Sequence, residues 1–376
     1  MERHLVAEIS AGALRSNIDL LRREIGPDVE LFAVVKADAY GHGLAVLLPV
    51  LAPLVDGLAV ATYQEAIGAR DLGYSGPVLA FYTPVTLGSG AQRDEAVREL
   101  IDKEIVFTVA TADDLRVLSA VAASAGRRAT VHLKIDTGMN RSGAARDSAA
   151  ALLDSLRAEA AIEVTGVYTQ FANAKEPDDA FVPVQLSRLL SVVDKAGGRG
   201  GLTLHSANSA AVLRRPETHL DRVRPGLAVY GYDPADGAAG SAAGLRPCLR
   251  LVSRLSQIKQ ARPGEGTGYG LSHVFSSGGR LGLVPVGYAD GYRKGFSGAI
   301  VRIAGYDAEV LGAVSMDWIV VDLTAAEGAQ IGDQVEIFST DPADPHSVEA
   351  LARWAGTISH EVCSALGERV HRRLVD

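Results

Sequence analysis

A lysine ordinarily keeps its proton. One that is desolvated at the edge of a core can lose it and attack a carbonyl, forming a Schiff base. The stretch 33–43, AVVKADAYGHG, offers such a place. Leu31 to Val35 is a short apolar, β-branched run of the kind buried on both faces of a sheet, and Lys36 follows at its end. Gly41 and Gly43 bracket His42 in a tight connection to the next apolar segment. The plainer reading of Lys36 is a stem laid along the core with its charge in water. Other reactive side chains recur at strand ends. A strand runs into HLKIDTGMNRSG, with Lys134 inside it and Arg141 in the loop above. His205 closes a strand before SANSAA, which holds Asn208 and Ser209, and Arg224 closes another before Pro225, Gly226 and Leu227. Structural alternatives are an ion pair of Arg224 with Asp221 or a neighbour, a buried salt bridge for Lys134 and a core imidazole for His205. In the last third, EGTGYG sets Tyr269 between glycines that let a phenol project or simply make a turn, and VSMDW carries Met316 and Asp317.

Groups at strand ends can converge only if the strands do. Apolar strand candidates occur at 31–35, 57–61, 78–82, 105–109, 130–135, 164–169, 202–205 and 220–224, with helical segments between them. Leu14, Ile18, Leu21 and Ile25 make one stripe of a helix over 11–25, ended by Gly26 and Pro27. Thr111 is placed to cap a helix over 112–124, with Asp113 and Asp114 in its first turn, and Gly73 to stop a helix over 63–72. Eight strands alternating with helices predict an α/β (β/α)8 barrel, whose functional groups sit at the C-terminal strand ends. An open doubly wound sheet would more often carry a Gly-rich phosphate fingerprint after its first strand, and GxGxxG is absent there. Residues 233–244, DPADGAAGSAAG, read as a linker. Beyond it, short strand candidates separated by Gly, Pro and Asp predict an all-β domain, with 347–355 as its one helix. The expected domains are a barrel over 11–240 and a β domain over 241–376 that also takes up 1–10.

Composition narrows the function classes. The 376 residues are 47% apolar and 22% charged, enough for two cores. A net charge of −8 without a run of five Lys/Arg argues against nucleic acid as partner. The longest apolar run, 44–55, contains two prolines and is too short to span a bilayer, so no membrane partner is expected. The N-terminus lacks an apolar segment of signal-peptide length, and Cys248 and Cys363 form no metal or redox spacing. A cytoplasmic chain with two buried reduced thiols is expected.

KADAYGHG resembles the cofactor-binding segment of alanine racemases, fold-type III pyridoxal 5′-phosphate enzymes built on a β/α barrel, and later segments resemble the same family in the same order along nearly the whole chain. The resemblance implies that Lys36 is the Schiff-base lysine. It implies a phosphate cradle of Tyr40, Ser209 and the amides of Gly226 and Leu227, with His360 beside it, and Arg224 on the pyridine nitrogen. Arginine has no acceptor, so it can donate to an unprotonated pyridine but cannot stabilise a pyridinium, which weakens the electron sink. His205 and Asn208, in HxANSA, would support the cofactor, and Arg141 would bind its phenolic oxygen and the substrate. Lys134 matches a lysine that many relatives carry as a carbamate. Tyr269 would be the second catalytic base and Met316 a substrate-carboxylate ligand, both reaching the site from the partner subunit of a homodimer. Tyr288, in VGYADGY, matches a gate tyrosine.

Racemisation moves the Cα proton off one face and back onto the other, which two bases, here Lys36 and Tyr269, do most simply. The implied activity is interconversion of L- and D-alanine, supplying D-alanine for peptidoglycan. Two positions depart from the family pattern. VYTQFAN has Gln170 where histidine is usual, and TISHEV has His360 where tyrosine is usual. Both leave room for another small amino acid such as serine. A decarboxylase of the same fold type would keep an acid where Arg224 stands. A non-catalytic PLP-binding regulatory protein would resemble the barrel alone.

Overall fold

The computed structural model describes residues 4–176, 179–235 and 244–376. Strand β1 (Val6–Ser10) precedes the barrel. The strands β2 (Glu30–Val34), β3 (Gly57–Val60), β4 (Val78–Ala80), β5 (Ile105–Val109), β6 (Ala129–Asp136), β7 (Ala144–Ala145), β8 (Ile162–Tyr168), β9 (Thr203–His205) and β10 (Arg222–Val223) follow. All of these pairings are parallel, in the order β5-β4-β3-β2-β10-β9-β8-β6, and β5 closes on β6. The result is a closed eight-stranded barrel, with the short β7 beside the end of β6 at Ile135 and Asp136. Most connections form helices on the outside, as parallel strands require.

Local chemistry sets the helix ends. Ser10 caps the helix Ala11–Ile25 by accepting from the Ala13 N–H at 3.0 Å, and Gly26 ends it at φ 76°. Thr62 and Glu65 exchange side-chain and backbone bonds at the start of Tyr63–Asp71. Thr111 and Asp114 do the same for Ala112–Ser124. Two strand glycines make room inside the barrel. A Cβ on Gly57 would lie 2.4 Å from the Phe32 ring opposite it, and one on Gly166 would lie 2.7 Å from the His132 ring.

The second domain is built from β11 (Leu249–Arg254), β12 (Gln257–Ala261), β13 (Gly266–Thr267), β14 (His273–Val274), β15 (Gly279–Val284), β16 (Ile300–Ile303), β17 (Tyr306–Leu311), β18 (Ile319–Asp322), β19 (Gln334–Phe338) and β20 (His371–Val375). Its nine-stranded sheet runs β12-β15-β18-β17-β16-β19-β11-β1-β20, and β13 pairs with β14 separately. β1 therefore sits inside this sheet, antiparallel to β11 and parallel to the last strand. The alternation of Leu249, Leu251 and Ser253 is the buried face of β11.

Three expectations need correction. The second domain has a further helix, Ser359–Ser364, besides Val348–Trp354. Its six residues are too few to show a period, and it has no side-chain cap. The last barrel strand shrinks from 220–224 to Arg222–Val223, because Leu220 adopts φ 54° and the Arg224 N–H turns to Ala207 O. Lys36 does not end a strand but opens a turn. The expected boundary at 240/241 lies outside the described residues. Both cysteines are buried and free. Among the described residues no helix is long and apolar enough to cross a membrane.

Candidate active site

After β2 the chain makes a left-handed turn. Ala37, Asp38, Ala39 and Tyr40 all have φ between 52° and 55°, where each non-glycine residue is strained by about 1–2 kcal/mol. Several contacts hold it. The Ala37 N–H donates to Glu65 Oε1 at 2.6 Å, Asp38 Oδ1 accepts from the Leu44 N–H at 2.7 Å, and His42 Nδ1 lies 3.0 Å from both Ala39 O and Tyr40 O. The second domain presses on it too. Arg372 Nε donates to Gly41 O at 3.2 Å, and a Cβ on Gly41 would lie 2.1 Å from Cys363 O. Strain kept in place by so many contacts is typical of a functional segment.

The turn lifts Lys36 and Tyr40 into a cleft of about 580 Å3 at the C-terminal end of the barrel. The same cleft takes in Lys134, Arg141, Asn208, Ser209, Arg224, Gly226, Leu227 and His360, so nine of the expected residues besides Lys36 meet there. No carboxylate lines it among the described residues, whereas Lys36, Lys134, Arg141, Lys175 and Arg224 do. Burial, then the neighbouring Arg141, lowers the Lys36 pKa against the pull of Glu65. Burial and the cations Arg141 and Arg224 bring Lys134 down to about 8. Its Nζ donates to Ser142 Oγ at 3.1 Å and lies 5.7 Å from the centre of the Tyr168 ring, so the expected alternative of a buried salt bridge is not what the structure contains. Above it, Asp136 accepts the N–H groups of Gly138, Asn140 and Arg141 and shapes the loop that carries Arg141.

Arg224 is buried, and burial draws its pKa down to about 10, which still leaves it charged at neutral pH. It is not paired with Asp221, whose partner is Arg199. Arg224 donates to Thr169 O at 2.7 Å and His205 Nδ1 at 2.6 Å, with Gln170 Oε1 at 3.4 Å. His205 does not line the cleft; it stands behind Arg224, stacked on Tyr168 with ring centres 4.7 Å apart. Ser209 begins the helix Ser209–Arg214, which Asn208 caps by accepting from the Ala211 N–H. Ser209 Oγ accepts from the Gly226 N–H at 2.9 Å and the Ala228 N–H at 3.2 Å. With both lone pairs engaged, its own hydrogen remains to be donated. The Gly226 amide expected to face a ligand is thus already satisfied. A Cβ on Gly226 would lie 2.4 Å from Tyr40 Oη, so only glycine leaves this corner open.

Three expected residues lie elsewhere. Tyr269 is 79% exposed, Met316 51% and Tyr288 43%, and none lines the cleft. They share a region of the second domain. The Tyr288 N–H donates to Ser315 O, the Ala289 N–H donates to Met316 O, and Gly268, before Tyr269, packs near Ala313. Tyr168, Ser142 and His132 were not anticipated. His132 and Lys134 are alternate residues of one strand, and that alternation was the available signal.

A closed β/α barrel with a cationic, lysine-bearing cleft at its C-terminal rim and an all-β second domain defines a class of barrel enzyme. The family models narrow it: "Alanine racemase, N-terminal domain" matches residues 9–234 and "Alanine racemase, C-terminal domain" residues 248–374. The chain belongs to the alanine racemase family of isomerases. It is 38% identical over 377 residues to the alanine racemase of Acidithiobacillus ferrooxidans, covering 100% of both chains. It is 32% identical to that of Methanococcus maripaludis, covering 97% of each. The crystal structure of alanine racemase from D-cycloserine-producing Streptomyces lavendulae superposes with a TM-score of 0.91 at 35% identity, over 100% of this chain and 98% of that one.

Proposed function

We propose that this protein interconverts L- and D-alanine with pyridoxal 5′-phosphate in the cleft, as a homodimer whose active site is shared. The observation that carries the reading is a lysine of lowered pKa set among cations with no lining carboxylate among the described residues. That donor set suits an anionic, carbonyl-bearing group, and the glycine-only corner between Gly226 and Tyr40 suits its phosphate. Tyr40, Ser209, Leu227 and His360 would hold the phosphate, with Gly226 acting through Ser209. Arg224 would hold the pyridine nitrogen, and Arg141 the phenolic oxygen, with Asn208 and His205 supporting them. When bound, this cofactor withdraws electrons from the substrate's α-carbon and makes its C–H bond acidic.

The chain's own residues then move the proton. Lys36 Nζ, made less basic by burial, accepts or returns it on one face. On the other face the hydroxyl of Tyr269 of the partner subunit does the same. Its exposure in the single protomer, and that of Met316, fits groups that complete another protomer's cleft. Met316 would offer its amide to the substrate carboxylate, and Tyr288 would stand at the entrance. The D-alanine formed would serve peptidoglycan.

The test is chemical labelling followed by assay. The protein is loaded with pyridoxal phosphate, reduced with borohydride and digested with trypsin, and the label is expected on the peptide containing Lys36. A label elsewhere overturns the assignment. Racemisation of alanine well above serine is expected; preference for serine would transfer the activity to that substrate.

A further inference from the structure

His132 and His205 form a buried pair behind Arg224, and arginine chemistry determines where their protons sit. Arginine only donates. Its Nη1 is 2.6 Å from His205 Nδ1, so Nδ1 presents a lone pair. The single hydrogen of neutral His205 is then on Nε2, 2.8 Å from His132 Nδ1. That atom is therefore the acceptor, and His132 carries its own hydrogen on Nε2. A proton added to His205 would set donor against donor at Arg224. The surroundings agree with this assignment. Both imidazoles are buried, and burial and the adjacent arginines hold them in the neutral form. Tyr168 fixes the plane of His205, its ring tilted only 8° from the imidazole, while its hydroxyl is held by Thr108 Oγ1 at 2.8 Å. Gly166 leaves the space that the His132 ring fills.

We infer that His132 is a positioning residue for Arg224: by accepting from His205 it locks the tautomer that gives the guanidinium a neutral acceptor, and so aims an uncompensated positive charge at the cleft. The inference rests on the reading of Arg224 as the group that holds the cofactor's ring nitrogen. A carboxylate in place of this pair would pin Arg224 equally well but cancel its charge. The imidazole pair orients without neutralising.

Two substitutions separate the acceptor from the packing. In His132→Asn the amide oxygen stands near the position of Nδ1 and still accepts; His132→Leu fills similar space and cannot. Without the acceptor, the His205 Nε2 hydrogen is buried and unpaired, and the ring is free to carry its proton on Nδ1, facing Arg224. His132→Leu is expected to weaken pyridoxal phosphate binding roughly tenfold and to lower kcat with little change in KM, while His132→Asn stays within about threefold of the parent. Equal losses in both variants, or none in either, overturn the inference. Nitrogen-15 spectra of histidine-labelled parent protein test it without any variant. The expected signals are a protonated Nε2 and a bare Nδ1 on His205, and a proton on Nδ1 overturns the inference. If the parent binds no pyridoxal phosphate, the functional reading fails, while the nitrogen spectra still decide the tautomer.

Discussion

Arg224 keeps its charge inside the barrel because its contacts are carbonyls, an amide oxygen and an imidazole rather than a carboxylate. Gln170 is one of those contacts and also lines the cleft. A histidine there could exchange charge near neutral pH; a glutamine offers only neutral hydrogen bonds. In the proposed shared site, where Tyr269 of the partner subunit would take the proton in the L-to-D direction, Gln170→His should change the pH profile of L-to-D kcat/KM more than that of D-to-L. Superimposable L-to-D profiles would make Gln170 a packing residue. Lys134 gives a stability prediction. Its folded pKa of about 8 lies below the 10.5 of the free side chain. The ammonium is therefore better accommodated unfolded. That cost is complete below about pH 8 and is relieved as pH rises toward 10.5. Lys134→Met should be more stable than the parent by up to about 2 kcal/mol at pH 7, less the lost bond to Ser142, and the gap should narrow by pH 10. Urea unfolding at the two pH values measures it; a gap that widens would contradict the burial argument.

The element that presents Lys36 is a left-handed turn made without glycine at its centre. Ala37 is exposed in it with φ 52°, so its side chain contributes strain and little packing. Ala37→Gly should raise stability by up to about 1 kcal/mol, the relief of left-handed strain exceeding the extra entropy lost by glycine. Gly41→Ala makes the opposite case. It adds a methyl at φ 79°, where a Cβ would lie 2.1 Å from Cys363 O, and should cost about 3 kcal/mol or more. Thermal unfolding compares the two, and equal effects would mean that the turn is not strained. Arg372, in the last strand, ties this turn to the end of the chain. The second domain therefore helps to hold the turn that presents Lys36 as well as carrying Tyr269.

At the scale of the whole molecule the two proposed bases lie on different surfaces. Lys36 is inside its own cleft, and Tyr269 projects from the other domain. Mixing inactive Lys36→Ala and Tyr269→Phe subunits under exchanging conditions should restore activity, because one of the two sites in each mixed dimer regains both bases. At full exchange half the dimers are mixed, so recovery should approach about a quarter of parental activity per site, with the mass-action dependence of any assembly. No recovery despite demonstrated exchange would count against a shared site.

Much of this was legible in the chain. The 11–25 helix and the 105–109 strand fall where periodicity places them, and the Thr111 cap sits where a hydroxyl can meet an orphan N–H, because those signals act between neighbours in sequence. KADAYGHG, HLKIDTGMNRSG and HxANSA marked the cleft residues through their resemblance to one family, and each is a short contiguous stretch at or just beyond a strand of the barrel. Other features depend on residues far apart in sequence. Lys36 opens a left-handed turn because Glu65, Cys363 and Arg372 surround it. Arg224 rests on His205, which His132 holds in turn from another strand, in preference to nearby Asp221. By itself the sequence determined which groups stand at or just beyond the strands, since local propensity and alternation are written in adjacent residues. Only the tertiary structure decided which of those groups touch and where their protons sit, since closing the barrel brings together donors and acceptors that no spacing in the chain relates.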